Sequence, residues 1–376
     1  MLREFSVPLI SGIIVALVWS NLFPESYFHF NHGPLIGQLS FHFLTNDIFM
    51  VLFFGIAAAE ITQSCLPGGD LHPLHKAVNP LLATIGGVAG PVLVYFVLNE
   101  MIGNPSLRRG WGIPTATDIA LAWLVARIVF GSRHPAISFL LLLAIADDAI
   151  GLAIIALFYP DPGQPTQPAW LVLTVVGMAV AYLLRRFKVQ NYWPYLLLGG
   201  TLSWIGLFKS HLHPALSLVF IIPFLPHPEK ETRHIFEGDI LEHSVMHRFE
   251  QDWKIVVDFG MFMFGLANAG VQFTSIGDAT WLVLGALAIG KTGGIFIMGW
   301  LGNRLGYALP NKVKGKELAI VGLIAGIGLT VALFVAGEAF TEPVTQGAAK
   351  MGALLSAGCA LIAIIAGKLL KLKQIQ

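Results

Sequence analysis

The sequence has few charged residues: Asp, Glu, Lys and Arg make up 12% of its 376 residues, whereas hydrophobic residues make up 55%. A soluble domain usually carries about 25% charged residues. The deficit argues against a water-soluble protein and indicates a chain surrounded mainly by lipid. The net charge of +1 provides no basic surface for nucleic acid, and we expect none as a partner.

Cysteine is also rare, since only Cys65 and Cys359 are present, far apart and each beside an apolar segment. They form neither a disulfide framework nor a metal-ligand spacing, so we expect two packing cysteines and no cofactor. No clear cleavage site follows the first apolar segment, which is therefore expected to remain as a helix.

The long apolar segments predict an all-α polytopic membrane protein. A helix crosses the hydrocarbon core with about 20 apolar residues, and twelve segments are candidates, of which the eighth is the weakest. They cover residues 7–23, 42–66, 79–98, 110–130, 134–159, 168–187, 192–208, 212–226, 252–273, 281–300, 317–340 and 346–367.

The distribution of basic residues supports twelve spans with both termini in the cytoplasm. If the N-terminus is inside and the spans alternate, 18 of the 23 Lys and Arg residues fall inside and Lys291 lies within a span. This skew follows the positive-inside rule. The four remaining basic residues fall outside: Arg108, Arg109, Lys209 and Lys350.

The longest polar stretch, residues 227–253, is rich in Glu, His, Lys and Arg. One interpretation is a solvated cytoplasmic loop. The other is a pH-responsive surface, because clustered histidines and carboxylates titrate near neutral pH.

Asp147 and Asp148 stand side by side in the middle of the fifth span. Two adjacent carboxylates in a low dielectric cannot both ionise cheaply, and acids inside a membrane usually have a function. Their oxygens suit a hard cation such as sodium, or protons. Neighbours on a helix point about 100° apart, so one can face a lysine and the other the ion path. The alternative is an ion-pair network that only joins helices.

Four further charged residues stand out within the predicted spans. Asp118 lies in the fourth span and Lys291 in the tenth. Asp47 and Glu60 lie in the second span, close enough to its ends to reach water. Charges at such depth are costly and therefore indicate functional candidates.

The fourth and eleventh spans are interrupted by Gly and Pro. Pro114 is followed by Thr115, Ala116, Thr117 and Asp118, and the eleventh span contains Gly322, Gly326 and Gly328. Proline lacks a donor and disfavours helix before it, and unwound backbone at membrane depth is tolerated only inside protein or beside a cavity. The alternative use of the glycines is close helix packing.

This matching pair predicts two broken, crossing helices with a binding site between inverted-topology repeats. Asp118 would offset the positive N-terminal helix ends and Lys291 the negative C-terminal ends. We expect residues 1–376 to form one transporter domain. Its core would comprise the spans in 79–159 and 281–367, with the other spans as scaffold.

Five motifs resemble the NhaA family of sodium/proton antiporters, and the resemblance covers nearly the whole chain. PTATD and the tandem aspartate on adjacent spans are the most specific, whereas glycine-rich runs alone would be weak. The motifs are PTATDIALA from Pro114, AIADDAIG from Ala144, GLANAGV from Gly265, GKTGGI from Gly290 and GLIAGIGLT from Gly322.

The resemblance implies a role for each candidate residue. Asp148 and Asp147 are the ion-binding pair, and Asp147 pairs with Lys291 when sodium is absent. Thr117 and Asp118 lie where the broken spans cross. The pH-response candidates are Glu60, Asp47 and His213. Departures occur at Ile61–Ser64 and after Leu241–His243, where the family is thought to sense pH.

The resemblance also implies the activity: export of sodium or lithium in exchange for more protons, by a homodimer in the bacterial plasma membrane. The chain is then a transporter and not an enzyme. A sodium-coupled symporter of an organic anion would need a mid-span arginine clamp, which we do not find. An intramembrane aspartyl protease needs two aspartates on facing elements. A channel would conduct without coupled proton movement.

Overall fold

The structure is a computed structural model that describes residues 2–37, 39–66, 74–160, 165–226, 244–310 and 313–372. Nearly all of the described residues are helical, which confirms the predicted class. The exception is a short antiparallel hairpin of β1 (Pro34–Ile36) and β2 (Leu39–Ser40), in which Pro34 pairs with Ser40. The longest polar stretch, residues 227–253, lies outside the described residues up to position 243.

The α-helices are bounded as follows, in chain order: α1 (Leu2–Leu22), α2 (Pro24–His32), α3 (Phe41–Phe43), α4 (Met50–Cys65), α5 (Leu74–Ile102), α6 (Ile119–Phe130), α7 (Pro135–Phe158), α8 (Leu171–Arg186), α9 (Thr201–Lys209), α10 (Val245–Asn268), α11 (Asp278–Gly285), α12 (Thr292–Arg304), α13 (Gly315–Ala325), α14 (Thr330–Ala339), α15 (Pro343–Leu355) and α16 (Gly358–Leu369).

Shorter helical segments of other types join or extend these helices. The π-helical segments are Leu44–Phe49, Tyr195–Gly200 and Ala286–Lys291, and the 3₁₀ segments are Pro105–Thr115, Pro168–Trp170, Pro214–Phe220, Ile222–Phe224 and Phe273–Ser275. The eighth predicted span corresponds only to the short 3₁₀ pair, because Pro214 and Pro223 interrupt regular helix there.

Several helices are long and apolar enough to cross a membrane. Among the described residues there are six such helices, or up to eight if each of two bent pairs counts as one span. Large apolar side chains remain exposed on them, such as Leu93 at 65%, Ile289 at 67% and Leu361 at 65%. Lipid would cover such surface. The chain is an integral membrane protein, and the count of twelve spans stays a prediction.

The two predicted breaks exist and contact each other. Pro105–Thr115 and α6 meet at 59°, and α13 and α14 meet at 49°. The backbone N–H of Asp118, at the first break, donates to the Ile327 carbonyl at the second, at 2.8 Å. The unwound segments therefore provide hydrogen-bond partners for each other's backbone groups inside the protein, as is required at membrane depth.

Glycines bring α5 directly against the helix that continues from Ala286–Lys291 into α12. A Cβ added to Gly294 would collide with the carbonyl oxygen of Gly86, and one added to Gly90 would collide with that of Gly290. Small residues allow membrane helices to approach this closely. The contact fixes the segment that ends in Lys291 and therefore the position of its ammonium group.

We expect Gly294→Ala to destabilise this contact and Gly293→Ala to leave it intact. The two glycines are adjacent on α12, but a Cβ at Gly293 would have nothing within 4 Å. Overpacking costs about 1–3 kcal/mol, while Gly to Ala within a helix otherwise gains about 0.5–1 kcal/mol. Thermal unfolding in detergent should therefore give a lower Tm for Gly294→Ala only. Equal Tm values for the two variants would contradict the contact.

Candidate functional site

Asp147 lies at the centre of a fully buried polar cluster. Its Oδ2 accepts from Lys291 Nζ at 2.5 Å and from Thr117 Oγ1 at 2.8 Å. Lys291 Nζ also donates to the Thr115 carbonyl at 2.6 Å, and both charged side chains are 0% exposed. The cluster joins α7, the segment that precedes α12, and the first break.

Local sequence explains why these groups meet. Pro114 and the extended residues after it leave backbone carbonyls free of helix bonding, so the Thr115 carbonyl can accept from the ammonium group of Lys291. Lys291 itself ends the π-helical segment Ala286–Lys291. Such segments are common at functional sites and shift a side chain from its regular helical direction.

Thr117 connects the charge of Asp147 to the second break. Its hydroxyl lies 2.8 Å from Asp147 Oδ2 and 2.9 Å from the Ala325 carbonyl, which ends α13. The hydroxyl has one hydrogen for these two acceptors. A change in the charge of Asp147 therefore changes how that hydrogen is shared with α13.

Asp118 accepts hydrogen bonds from the N-terminal ends of two helices at the crossing. It is the N-cap of α6, where Oδ1 accepts from the Leu121 N–H at 3.0 Å. Its Oδ2 accepts from the backbone and hydroxyl of Thr330, the first residue of α14, at 3.4 and 3.3 Å. A carboxylate at this point offsets the partial positive charge of both helix ends.

We expect Asp118→Ala to lower the stability of the fold more than the loss of an exposed cap does. The substitution leaves the buried donors of Leu121 and Thr330 without an acceptor, at a cost of about 1–3 kcal/mol each. Asp278→Ala is the control, because Asp278 is an exposed acid at the start of α11. The Tm should fall clearly for Asp118→Ala and little for Asp278→Ala. Similar small shifts for the two variants would contradict the role of Asp118.

Asp148 faces away from Lys291, into a crevice. Its Oδ1 is buried and has no hydrogen-bond partner within the described part of the chain. The crevice also reaches Glu60 and Asp118, and its walls come from α1, α4 and α10 on one side and the two breaks on the other. None of its lining residues is a lysine or arginine, so the negative potential favours a cation.

The structure brings six of the eight sequence-predicted residues together. Thr117, Asp118, Asp147, Asp148 and Lys291 form the cluster, and Glu60 lines the same crevice. The other two lie elsewhere. Asp47 lies in the π-helical segment Leu44–Phe49, where its carbonyl accepts from Trp204, and His213 lies beside Glu338.

Glu338 and Lys350 are two charged residues that the sequence patterns did not indicate. Glu338 lies within α14 with its side chain 23% exposed. Lys350, expected on the outer side of the membrane, is 6% exposed within α15. The available signal was their position inside the predicted spans 317–340 and 346–367.

The fold and the cluster together define a class, that of membrane transporters with paired broken helices around a buried ionic site. Within the described residues, no three His, Cys, Asp or Glu side chains group as they would around a bound metal.

Comparison with known proteins agrees with this class. The sequence model described as Na+/H+ antiporter 1 matches residues 4–370. The chain is 74% identical to the Na+/H+ antiporter NhaA 1 of Pelobacter propionicus and 69% identical to the NhaA of Geobacter sulfurreducens. Each comparison covers 100% of this chain and 98% of the relative. The chain belongs to the Na+/H+ antiporter 1 family.

A solved structure shares the fold. The sodium proton antiporter MjNhaP1 of Methanocaldococcus jannaschii superposes with a TM-score of 0.52 at 15% sequence identity. The match covers 96% of this chain and 94% of the other. At this identity the likeness concerns the fold alone.

Proposed function

We propose that this protein exchanges sodium or lithium ions for protons across the membrane, as an antiporter and not as an enzyme. The observation that carries the proposal is the unequal environment of two adjacent carboxylates. Each aspartate has a buried Oδ1 without a partner, but Asp147 is paired with Lys291 through its Oδ2. Asp148 instead lines a crevice that holds no cationic side chain. One carboxylate is neutralised within the protein, and the other is available to an ion.

Sodium and protons compete for the same oxygens in this proposal. Asp148 is the principal sodium ligand, and Asp147 pairs with Lys291 when sodium is absent. The Thr117 hydroxyl is within reach of Asp147 Oδ2 and supplies a further oxygen. Sodium, as a hard cation, prefers such oxygen ligands. Without sodium, Asp148 holds one proton and the Asp147–Lys291 pair shares another. If both protons leave as one sodium ion binds, exchange moves net charge.

Alternating access would expose the site to each side in turn. The proposed core contains the spans in 79–159 and 281–367, arranged as inverted repeats, and the remaining spans form the scaffold. Support comes from the crevice, which separates α1, α4 and α10 from the two breaks. Protons entering on one side neutralise the aspartates, the site crosses, and sodium displaces the protons on the other.

An exchange assay tests the proposal directly. Purified protein in proteoliposomes with a pH gradient should dissipate that gradient when sodium or lithium is added, and not when potassium is added. Repeating the assay at several pH values gives the active range that Glu60, Asp47 and His213 are proposed to influence. A gradient that is unaffected by sodium at every pH would contradict the function.

The remaining proposals concern topology and assembly. Twelve spans with both termini in the cytoplasm of a bacterial cell are supported by the skew of 18 among 23 basic residues, and reporter fusions at the termini test this. A homodimer in the plasma membrane is supported by the family resemblance. Mass measurement in detergent tests it, since a monomeric mass at every concentration would contradict a dimer.

An organic-anion symporter is the less favoured candidate. It needs a cationic clamp for its substrate, and no lysine or arginine lines the crevice. Sodium-driven uptake of an anion without proton movement in the same vesicles would favour it.

A further inference from the structure

His213 lies between two core helices at the end of the molecule opposite Glu60. Its Nε2 contacts the carbonyl oxygen of Tyr159, the residue that follows α7, and its Nδ1 lies 3.7 Å from Glu338 Oε2 on α14. His213 itself precedes the 3₁₀ segment Pro214–Phe220, which packs against α4 and α9. One imidazole therefore joins a scaffold segment to two core helices.

This link is buried and electrostatically reinforced. The side chains of His213 and Glu338 are 8% and 23% exposed. The charge of Lys350 also interacts with Glu338, and Lys350 Cε passes 3.9 Å from where a Cβ on Gly337 would lie. Glu338 thus holds its carboxylate between the His213 imidazole on the scaffold side and the Lys350 ammonium on α15.

An aromatic contact separates this link from Asp148. Phe54 shares a small cavity with Asp148, and its ring packs edge-on against Phe334 with centroids 5.5 Å apart. Phe334 in turn packs edge-on against the His213 ring at 5.6 Å. Proceeding from Asp148 away from Glu60, an ion would meet Phe54 and Phe334 and then the His213–Glu338 pair.

The two sides of the site therefore differ. On the Glu60 side, a crevice separates the scaffold helices from the breaks. On the Glu338 side, the same two parts are joined by an aromatic contact and by the contact of His213 with Glu338. If the core moves against the scaffold to expose Asp148 first to one side of the membrane and then to the other, the contacts on the Glu338 side must break.

We propose that Glu338 is the positioning residue of a latch, formed with His213 and the Phe54–Phe334 contact, that closes the ion path on the side opposite Glu60. The inference rests on the proposed function, since a latch matters only if the site is exposed alternately. Glu338 acts through His213 and does not itself hold the ion in this conformation.

Accessibility of a single cysteine tests the latch. Leu152 lines the cavity beside Asp148 and Phe54, so Leu152→Cys in a Cys65→Ser, Cys359→Ser background reports on that cavity. A membrane-impermeant maleimide is applied to sealed vesicles from each side separately. With Glu338→Gln, labelling from the Glu338 side should rise about tenfold, as expected for losing one charge-assisted contact. Labelling from the Glu60 side should fall.

Matched variants separate a latch from general loosening. Glu342→Gln is the control, because Glu342 is exposed and lies four residues away, and within the described contacts its carboxylate bonds only to Thr345. His213→Gln should reproduce the effect of Glu338→Gln, and the double variant should add nothing further. Glu338→Asp shortens the side chain but keeps its charge, so labelling from the Glu338 side should rise by less than the tenfold expected for Glu338→Gln. This variant still tests the latch if Glu338→Gln fails to fold.

Three results would overturn the latch: unchanged labelling in Glu338→Gln and Glu338→Asp, an equal rise in Glu342→Gln, or a rise from both sides at once. Labelling requires neither sodium nor a proton gradient. A failure of exchange in proteoliposomes, which would remove the proposed function, is therefore a separate result from a failure of the latch.

Discussion

Replacing Asp148 with Asn should abolish sodium-driven collapse of a pH gradient in proteoliposomes, leaving the rate of protein-free vesicles. The amide has the shape of the carboxylate, so packing around α7 is preserved. It carries no negative charge and takes up no proton, so it can neither bind sodium strongly nor exchange it for a proton. The predicted loss is large because Asp148 is the carboxylate that lines the crevice and is not paired with Lys291.

The comparison needs a control for the fold and a control for charge. Glu342→Gln removes an exposed carboxylate and should exchange sodium at the rate of the unaltered protein. Asp148→Asn should keep a Tm close to that of the unaltered protein, which separates a lost site from a lost fold. Undiminished sodium-dependent exchange by Asp148→Asn would remove the site assignment.

Lys291→Ala is expected to move the pH dependence of exchange to higher pH by about one unit. Its effect on sodium affinity should be the smaller of the two. The ammonium group lies 2.5 Å from Asp147 Oδ2, where it both balances the carboxylate and repels sodium. Without it, a proton is the positive charge left to balance Asp147, so sodium displaces that proton only when protons are scarcer. Removal of the ammonium group also removes its repulsion of sodium, and this offsets part of the affinity lost to the competing proton.

The control is Lys209→Ala, which removes an exposed lysine at the end of α9 and should leave the profile in place. Lys291→Arg should retain the profile better than Lys291→Ala, since it keeps the charge. The measurements are exchange rates and half-saturating sodium concentrations at a series of pH values. Loss of sodium binding with an unchanged pH profile would show that Lys291 does not compete with the ion.

Much of the fold was predictable because lipid imposes simple rules. A segment such as residues 135–158 must be long and apolar, and a break such as the one at Pro114 must be buried. Those rules identified both bent pairs. They do not predict π-helical segments such as Ala286–Lys291, since the extra residue per turn depends on packing against α5 through Gly90 and Gly86.

The charged residues in the middle of apolar spans were the predictable part of the candidate site, because charge is rare there. Asp147, Asp148 and Lys291 stand out within apolar spans, and the 100° step between helical neighbours already separates the directions of the two aspartates. Glu338 and Lys350 lie near span ends, where a charge can reach water, and only tertiary packing shows that Lys350 is 6% exposed and the Glu338 side chain 23% exposed. The contact of His213 with Glu338 spans 125 residues of sequence, and no local pattern indicates it.

Proton release on sodium binding tests most directly whether the two ions share the oxygens of Asp147 and Asp148. Sodium is added to weakly buffered, purified protein at several pH values, and the protons released and sodium bound are measured together. The account predicts that protons are released as sodium binds, that sodium affinity weakens as the pH falls, and that Asp148→Asn releases none. Sodium binding with no proton release, and with equal affinity at every pH, would contradict it.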